Sequence, residues 1–285
     1  MNAPAAEKFR DPSLVDFGAG RRLELLGGVV VDRPLALPDL PRRSRPGAWE
    51  AAGAVFTDAG WSFRVPLPDP WLVRVPLGKT DRAISLEVRP APSGQVGLFL
   101  EQVEQWGWLA AVTPLGARVL SLFAHSGAAT LALATAGADV VHVDASRQAT
   151  ALARRNAAAS GLDAAPIRWI CDDARAFVAR EVRRGARYDG AVLDPPSWGH
   201  GPKGQAFSID RDLVALLGDI ARLLASPPAG PILLTCHSPG WNPHRLHGTL
   251  ADTFGGRIES GTLACADAGG RPLTLGGFAR RIPSR

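Results

Sequence analysis

Arg118-Val119-Leu120-Ser121-Leu122-Phe123-Ala124-His125-Ser126-Gly127-Ala128-Ala129 is a short apolar run that stops abruptly in a small polar loop. Leu193-Asp194-Pro195-Pro196-Ser197-Trp198 repeats that form about 65 residues later. A run of this length bounded by turn residues reads as a buried parallel strand that delivers a loop to the edge of a sheet. Ligands of open α/β sheets bind outside the carboxyl ends of the strands. The two loops are therefore expected at one rim, the first for a cofactor and the second for chemistry.

From residue 116 onward, strand and helix signals alternate. Val119–Phe123 is the first expected strand. An alanine-rich helix follows over Ala128–Ala136, and Gly137 ends it. Asp139–Val143 is the second strand, and Ser146 caps a helix that runs to Ser160 and stops at Gly161. Ile167–Ile170 is the third strand, with a helix over Ala174–Arg184. Tyr188–Leu193 is the fourth, followed by a helix over Asp210–Ala225. Ile232–Thr235 is the fifth, followed by a helix over His244–Phe254. Arg257–Ala264 and Pro272–Ile282 flank Asp267-Ala268-Gly269-Gly270 and read as a hairpin. Repeated strand–helix units predict an α/β fold: a parallel sheet with helices on both faces and an antiparallel addition from the hairpin.

Residues 1–95 read differently. Pro34, Pro38, Pro41, Pro46, Pro66, Pro68, Pro70, Pro76, Pro90 and Pro92 break the region into short pieces, which argues against long helices. Strand-like segments are Leu23–Val31, Trp61–Val65, Trp71–Val75 and Ala83–Val88. Leu37–Gly47 reads as an exposed loop. The expected organisation is a small β-rich N-terminal domain or arm over 1–95 and a larger domain over 96–285.

The 285 residues, 46% of them hydrophobic, can bury a sizeable core. No apolar run reaches the roughly 18 residues of a transmembrane helix. The N-terminal stretch lacks the apolar region of a signal peptide. Cys171, Cys236 and Cys265 are too dispersed for a disulfide framework or a zinc cluster and fit a reducing cytoplasm. The net charge is +5, carried almost wholly by arginine, since Lys8, Lys79 and Lys203 are the only lysines. That balance permits nucleic-acid binding without requiring it.

The first loop has a single glycine, Gly127, where a dinucleotide pyrophosphate needs several for close backbone approach. NAD and FAD are disfavoured on that ground. Asp144 ends the second strand 17 residues after Gly127, near the roughly 20-residue spacing at which an acid grips ribose hydroxyls. Asp172-Asp173 ends the third strand, where a carboxylate can accept a hydrogen bond from an adenine amine. Together these features fit a nucleoside that carries no pyrophosphate.

The segments Val119–Ala128, Val143-Asp144-Ala145-Ser146, Asp173-Ala174 and Leu193–Gly199, with Leu98–Leu109 upstream, resemble the class I S-adenosylmethionine-dependent methyltransferases. More narrowly, they are similar to the bacterial family that includes the large-subunit ribosomal RNA 5-methylcytosine methyltransferases. The resemblance covers residues 80–285 and implies a Rossmann-like seven-stranded sheet with a C-terminal antiparallel hairpin. It implies S-adenosyl-L-methionine as cofactor, with Phe123, Ala124, Ser126 and Gly127 lining its methionine end and Gln102 nearby. It also implies Asp144 at the ribose and Asp173 at the adenine, with Asp172 a second candidate. The N-terminal RNA-binding domain of the characterised rRNA enzymes is not recognisable in residues 1–95.

In the second loop, Pro195 and Pro196 stiffen the backbone, so that Asp194 and nearby carbonyls can hold a planar acceptor by hydrogen bonds. Trp198 can stack on a base. Methyl transfer is an in-line displacement in which positioning is most of the catalysis. Gly199–Gly204 reads as a lid carrying Lys203. Cys236, in Leu234-Thr235-Cys236-His237-Ser238, ends the fifth strand at the same rim. By resemblance it would be the thiolate that attacks pyrimidine C6. A buried structural cysteine is the other reading, and His237 departs from the family's Ser/Thr-Cys-Ser segment. The expected function is methylation of a base in RNA, with rRNA as partner, in the cytoplasm. Alternatives are N- or O-methylation of a small molecule or protein, and a non-catalytic cofactor-binding RNA module.

Overall fold

The computed structural model describes residues 10–283 except 36, 38–40, 42, 79–80, 202–203 and 226–227. The chain is divided between two compact units. One comprises Met1–Val75, Leu86–Leu100 and Ala264–Leu273; the other comprises Pro76–Ser85, Glu101–Leu263 and Thr274–Arg285.

In the first unit, β1 (Ser13–Gly18), β2 (Arg21–Leu26), β3 (Val29–Pro34), β4 (Ala54–Thr57) and β5 (Gly60–Phe63) form a five-stranded sheet in chain order. Its core holds Val15, Leu23, Trp49 and Ala52. The fully buried Asp16 carboxylate organises one end of it. Asp16 accepts from the amides of Phe17, Ser44 and Arg45, the Ser44 hydroxyl and the Trp49 indole, and pairs with Arg271. Burial opposes the charge, but these donors outweigh it and hold Asp16 below the usual carboxylate range. Ser44 and Arg45 are thereby tied down within the segment expected as an exposed loop, of which Pro38 and Arg42 lie outside the described residues. β6 (Leu72–Pro76) and β7 (Ala83–Glu87) form a two-stranded ribbon.

The second unit holds α1 (Val103–Val112), β8 (Arg118–Leu122), α2 (Ala128–Thr135), β9 (Asp139–Asp144), α3 (Arg147–Ala159), β10 (Ile167–Cys171) and α4 (Ala174–Arg183). These are followed by β11 (Gly190–Leu193), β12 (Trp198–His200), β13 (Ala206–Ser208), α5 (Ile209–Leu223), β14 (Ile232–Cys236), α6 (Pro243–Phe254), and, apart from the Ala264–Leu273 portion assigned to the first unit, β15 (Ile258–Ala266) and β16 (Pro272–Arg281). The seven-stranded sheet has the order β10-β9-β8-β11-β14-β16-β15. β10 through β14 are parallel, and β16 pairs antiparallel with β14. The order reverses between β8 and β11, which opens a crevice at their carboxyl ends.

Hydrogen-bond register aligns Ile170, Val143, Leu122, Leu193 and Leu234 in one row across the five parallel strands. The next residue on each strand is Cys171, Asp144, Phe123, Asp194 and Thr235. An apolar row thus forms the floor on which the loop residues begin. Alternation then assigns faces. Leu120 and Leu122, Val141 and Val143, Ala191 and Leu193, and Ile232, Leu234 and Cys236 pack in one buried cluster with side chains of α4, α5 and α6. On β8 and β9 the intervening Ser121 and His142 meet Thr130 of α2 at 3.0 and 2.9 Å. Burial first, and the nearby His125 and Arg154 second, push His142 down to about 3, so its imidazole is neutral.

The expected helices and the strands from residue 116 onward stand within a few residues of their observed bounds. Ser146 caps α3 by accepting from Ala149 N at 3.2 Å, and Asn242 caps α6 ahead of Pro243. The expected single strand Leu23–Val31 is instead two strands joined at Gly27-Gly28. Both glycines have positive φ, +56° and +79°, as a two-residue hairpin turn of the right twist requires. Asp11 accepts from both amides, at 2.8 and 2.6 Å. The expected lid is a small hairpin of β12 and β13 closed by Gly201 N donating to Gln205 O; Lys203 lies outside the described residues. Among the described residues no helix is long and apolar enough to cross a membrane.

A Cβ at Gly27 would lie 2.7 Å from the Leu72 carbonyl oxygen and 2.9 Å from Trp71 Nε1, whereas one at Gly28 would meet open space. Gly28→Ala should therefore cost only the positive-φ penalty, about 1 kcal/mol, and Gly27→Ala clearly more. Urea unfolding of the two variants beside the parent checks the ordering.

Candidate functional site

The loop after β8 is held in a strained, narrow course. Phe123 and His125 have positive φ (53° and 46°) although neither is glycine, a conformation that persists only when surroundings enforce it. Ala124 N donates to Val143 O (3.2 Å), and Asn156 Nδ2 donates to Ser126 O (2.9 Å). Gly127, at φ +86°, precedes α2; a Cβ there would lie 2.9 Å from Ala153 Cβ. Only glycine lets the loop approach α3 so closely. Asp144 accepts from His125 N through one oxygen and from Ser146 N through the other, both at 2.8 Å. It joins the first loop to the start of α3, and each oxygen keeps a second lone pair for a ligand. Phe123 packs against Phe207, centroids 5.0 Å apart.

The two acids after β10 divide. Asp173 is buried and caps α4, accepting from Ala176 N at 3.0 Å, with Arg175 against it at 3.2 Å. Asp172 accepts from Asp173 N and pairs with Arg180 while its side chain stays partly exposed.

Asp194 stands one residue past the apolar row and is surrounded by donors. Thr235 Oγ1 donates to Oδ1 at 2.8 Å, and Gln102 Nε2 donates to Oδ2 and to Thr235 Oγ1, both at 3.2 Å. His237 Nδ1 lies 3.7 Å from Asp194 Oδ1, and its Nε2 is 3.1 Å from Glu101 Oε1. Burial opposes charging of His237, but hydrogen bonds to Asp194 and Glu101, and the charge of both, push it up to about 10. The imidazole is therefore a cation at neutral pH. Pro195 and Pro196 follow Asp194, and Ser197 Oγ is 2.7 Å from Ser238 Oγ. That contact fastens the Asp-Pro-Pro loop to the end of β14. Trp198 emerges 64% exposed.

Cys236 is not presented at this rim. It shares the face of Ile232 and Leu234, is fully buried in the cluster under α5 and α6, and its sulfur accepts from Ser238 N at 3.3 Å. Burial pushes the thiol up, away from the thiolate. Strand alternation turns the neighbouring Thr235 to the opposite face, beside Gln102 and Asp194. Gln102, expected near a methionine moiety, spends its amide on this second loop.

Residues 71–253 match the family model of S-adenosylmethionine-dependent methyltransferases. The chain belongs to that family. The crystal structure of an S-adenosylmethionine-dependent methyltransferase from Agrobacterium tumefaciens is similar with a TM-score of 0.87 at 36% identity, covering 97% of this chain and 91% of that one. Over 123 residues this methyltransferase is 32% identical to ribosomal RNA large subunit methyltransferase K/L of Shewanella sp. (strain ANA-3), covering 42% of this chain and 17% of that one. Over 116 residues it is 33% identical to ribosomal RNA large subunit methyltransferase K of Neisseria meningitidis serogroup B (strain ATCC BAA-335 / MC58), covering 40% of this chain and 33% of that one. These matches span a third or less of the length of the two relatives.

Sequence reasoning missed Glu101 and Thr235, and it met His237 only as a departure from a motif. The available signals were Glu101 directly before Gln102 within the Leu98–Leu109 segment, and a polar residue, Thr235, after the apolar run Ile232-Leu233-Leu234.

The raised His237 makes the methyltransferase's stability depend on pH. An imidazole whose folded value exceeds its ordinary 6.5 contributes stability that is complete below about 6.5 and is lost as pH rises through about 10. The urea midpoint of the parent should fall across that window more steeply than that of His237→Gln.

Proposed function

We propose that the protein transfers the methyl group of S-adenosylmethionine to a nitrogen of a base in RNA, with ribosomal RNA the leading substrate. The observation that carries this reading is Asp194. Its carboxylate is supplied with fixed donors at the crevice where the strand order reverses, while the one cysteine at that strand end is buried.

The residues present fit the cofactor. A loop without a pyrophosphate cradle suits a nucleoside carrying an amino acid. Asp144 would take the ribose hydroxyls through its remaining lone pairs, and Asp173 the adenine amine. Phe123, Ala124, Ser126 and Gly127 would line the rest. When bound, S-adenosylmethionine supplies a methyl group activated by a positively charged sulfur. Asp194 orients the acceptor by accepting its N–H, keeps the nitrogen lone pair directed at the methyl, and takes up the proton lost as the nitrogen–carbon bond forms. Pro195 and Pro196 limit the motion of that loop, so the enzyme's contribution is mainly orientation.

RNA is supported by three observations. The matched relatives are named ribosomal RNA methyltransferases, the net charge is +5, and the exposed Trp198 directly beyond the acceptor loop offers a stacking face. The three dispersed cysteines fit a cytoplasmic setting. The β-rich segment 1–95 is read as an accessory domain to the transferase over 96–285.

Asp144→Ala should weaken S-adenosylhomocysteine binding by about 1–3 kcal/mol, the usual loss of a charged hydrogen-bond partner; calorimetry reads this directly. The substrate is tested by incubating the protein with tritiated S-adenosylmethionine and ribosomal RNA from cells that lack it, followed by mass spectrometry of the nucleosides. An N-methylated base is expected, with Asp194→Ala inactive and Cys236→Ser active. A 5-methylpyrimidine product that disappears in Cys236→Ser would replace the nitrogen reading with the thiolate one. Label entering protein or a small molecule but not RNA would overturn the substrate.

A further inference from the structure

Two carboxylates stand on either side of a single imidazole at the acceptor end of the site, and the loop chemistry described so far does not use that imidazole. Glu101 is 3% exposed. One of its oxygens faces His237 Nε2 at 3.1 Å, and the other is buried with no hydrogen-bond partner. A carboxylate in that setting carries a heavy desolvation cost unless a cation is beside it. The other imidazole nitrogen faces Asp194 at 3.7 Å. We propose that His237 is a positioning residue for methyl transfer: by bridging Glu101 and Asp194 it fixes the Asp194 carboxylate toward the acceptor and supplies the positive charge that lets two carboxylates share this corner. The proposal rests on the reading that Asp194 addresses the acceptor.

The surroundings are shaped for the imidazole. On β16, a Cβ at Gly276 would lie 3.3 Å from His237 Cδ2 and 2.4 Å from the Cys236 carbonyl oxygen. A bare glycine lets the ring lie along that strand. Charged groups close to His237 are Glu101 ahead of α1 and Asp194 after β11. On β14 itself the neighbours are the neutral Thr235 and the buried Cys236 thiol. From α6 the nearby cation is Arg245, whose guanidinium is held by Asp210 at 3.0 Å and by the Trp241 ring at 3.7 Å. His237 is thus the cation in contact with both carboxylates. Thr235 and Gln102 set the other two contacts of Asp194, so removal of His237 leaves the loop bonded while taking away the positive charge beside the carboxylate.

A charged imidazole is a poor proton acceptor, so His237 does not compete with Asp194 for the acceptor's proton. Its position in the network, raised to about 10, gives a signature that simple packing would not. Selectively labelled histidine spectra should show His237 as imidazolium throughout the neutral range, and Glu101→Gln should bring its titration down toward 6.5. In the methyl-transfer assay, His237→Gln should lower kcat by about 100-fold, the scale of a misplaced reacting group. Its affinity for S-adenosylhomocysteine should match the parent's. His237→Lys, which restores the charge, should recover much of the rate. Titration of parental His237 near 6.5, parental kcat in His237→Gln, or loss of S-adenosylhomocysteine binding in step with kcat would each overturn the proposal. The spectra and the binding measurement need no acceptor, so absence of transfer to RNA would count against the substrate reading alone.

Discussion

The register of five parallel strands is the constraint on which the site depends. Backbone hydrogen bonds place Ile170, Val143, Leu122, Leu193 and Leu234 in one row, and the apolar side chains of that row are held by the helices on the sheet. The next residue of each chain then stands at the edge of that floor. Asp144, Phe123, Asp194 and Thr235 lie at one level of the sheet because they are the first residues beyond a common floor. A slip of one residue on any strand would bury the polar residue and expose the apolar one.

Polarity alternates on the same principle. Ile232, Leu234 and Cys236 face the α5–α6 core, and Thr235 faces Gln102 and Asp194. Two adjacent residues of similar size thereby meet opposite fates. The hydroxyl becomes part of a polar network, and the thiol becomes core. The chemistry available at the end of β14 then comes from the residue after the strand, His237, held between Asp194 and Glu101.

Buried or half-buried aspartates recur as loop organisers. Asp16 gathers the loop at Ser44–Arg45, Asp144 gathers the loop after β8, Asp173 starts α4, and Asp267 accepts from Gly269 N and Arg271 N in its own turn. In each case backbone N–H groups that would otherwise lie unpaired receive a charged acceptor, which is stronger than a neutral one. At Asp144 the two backbone bonds use one lone pair on each oxygen, so two of the four lone-pair directions of that carboxylate stay open.

By itself the sequence determined the alternation of strands and helices, the cap at Ser146, and the two loops at one rim. These follow from local rules: apolar runs of strand length, capping side chains, glycine and proline at turns. The Gly27-Gly28 turn was equally local in origin but lay inside Leu23–Val31, which reads as one strand-like segment. Only the tertiary structure decided the partners. Glu101 and His237 are 136 residues apart and Gln102 and Asp194 are 92 apart, and nothing in either neighbourhood names the other. The fate of Cys236 was decided in the same way. Its place at a strand end was legible, but which face it took depended on the sheet beneath it and on the helices that cover that face.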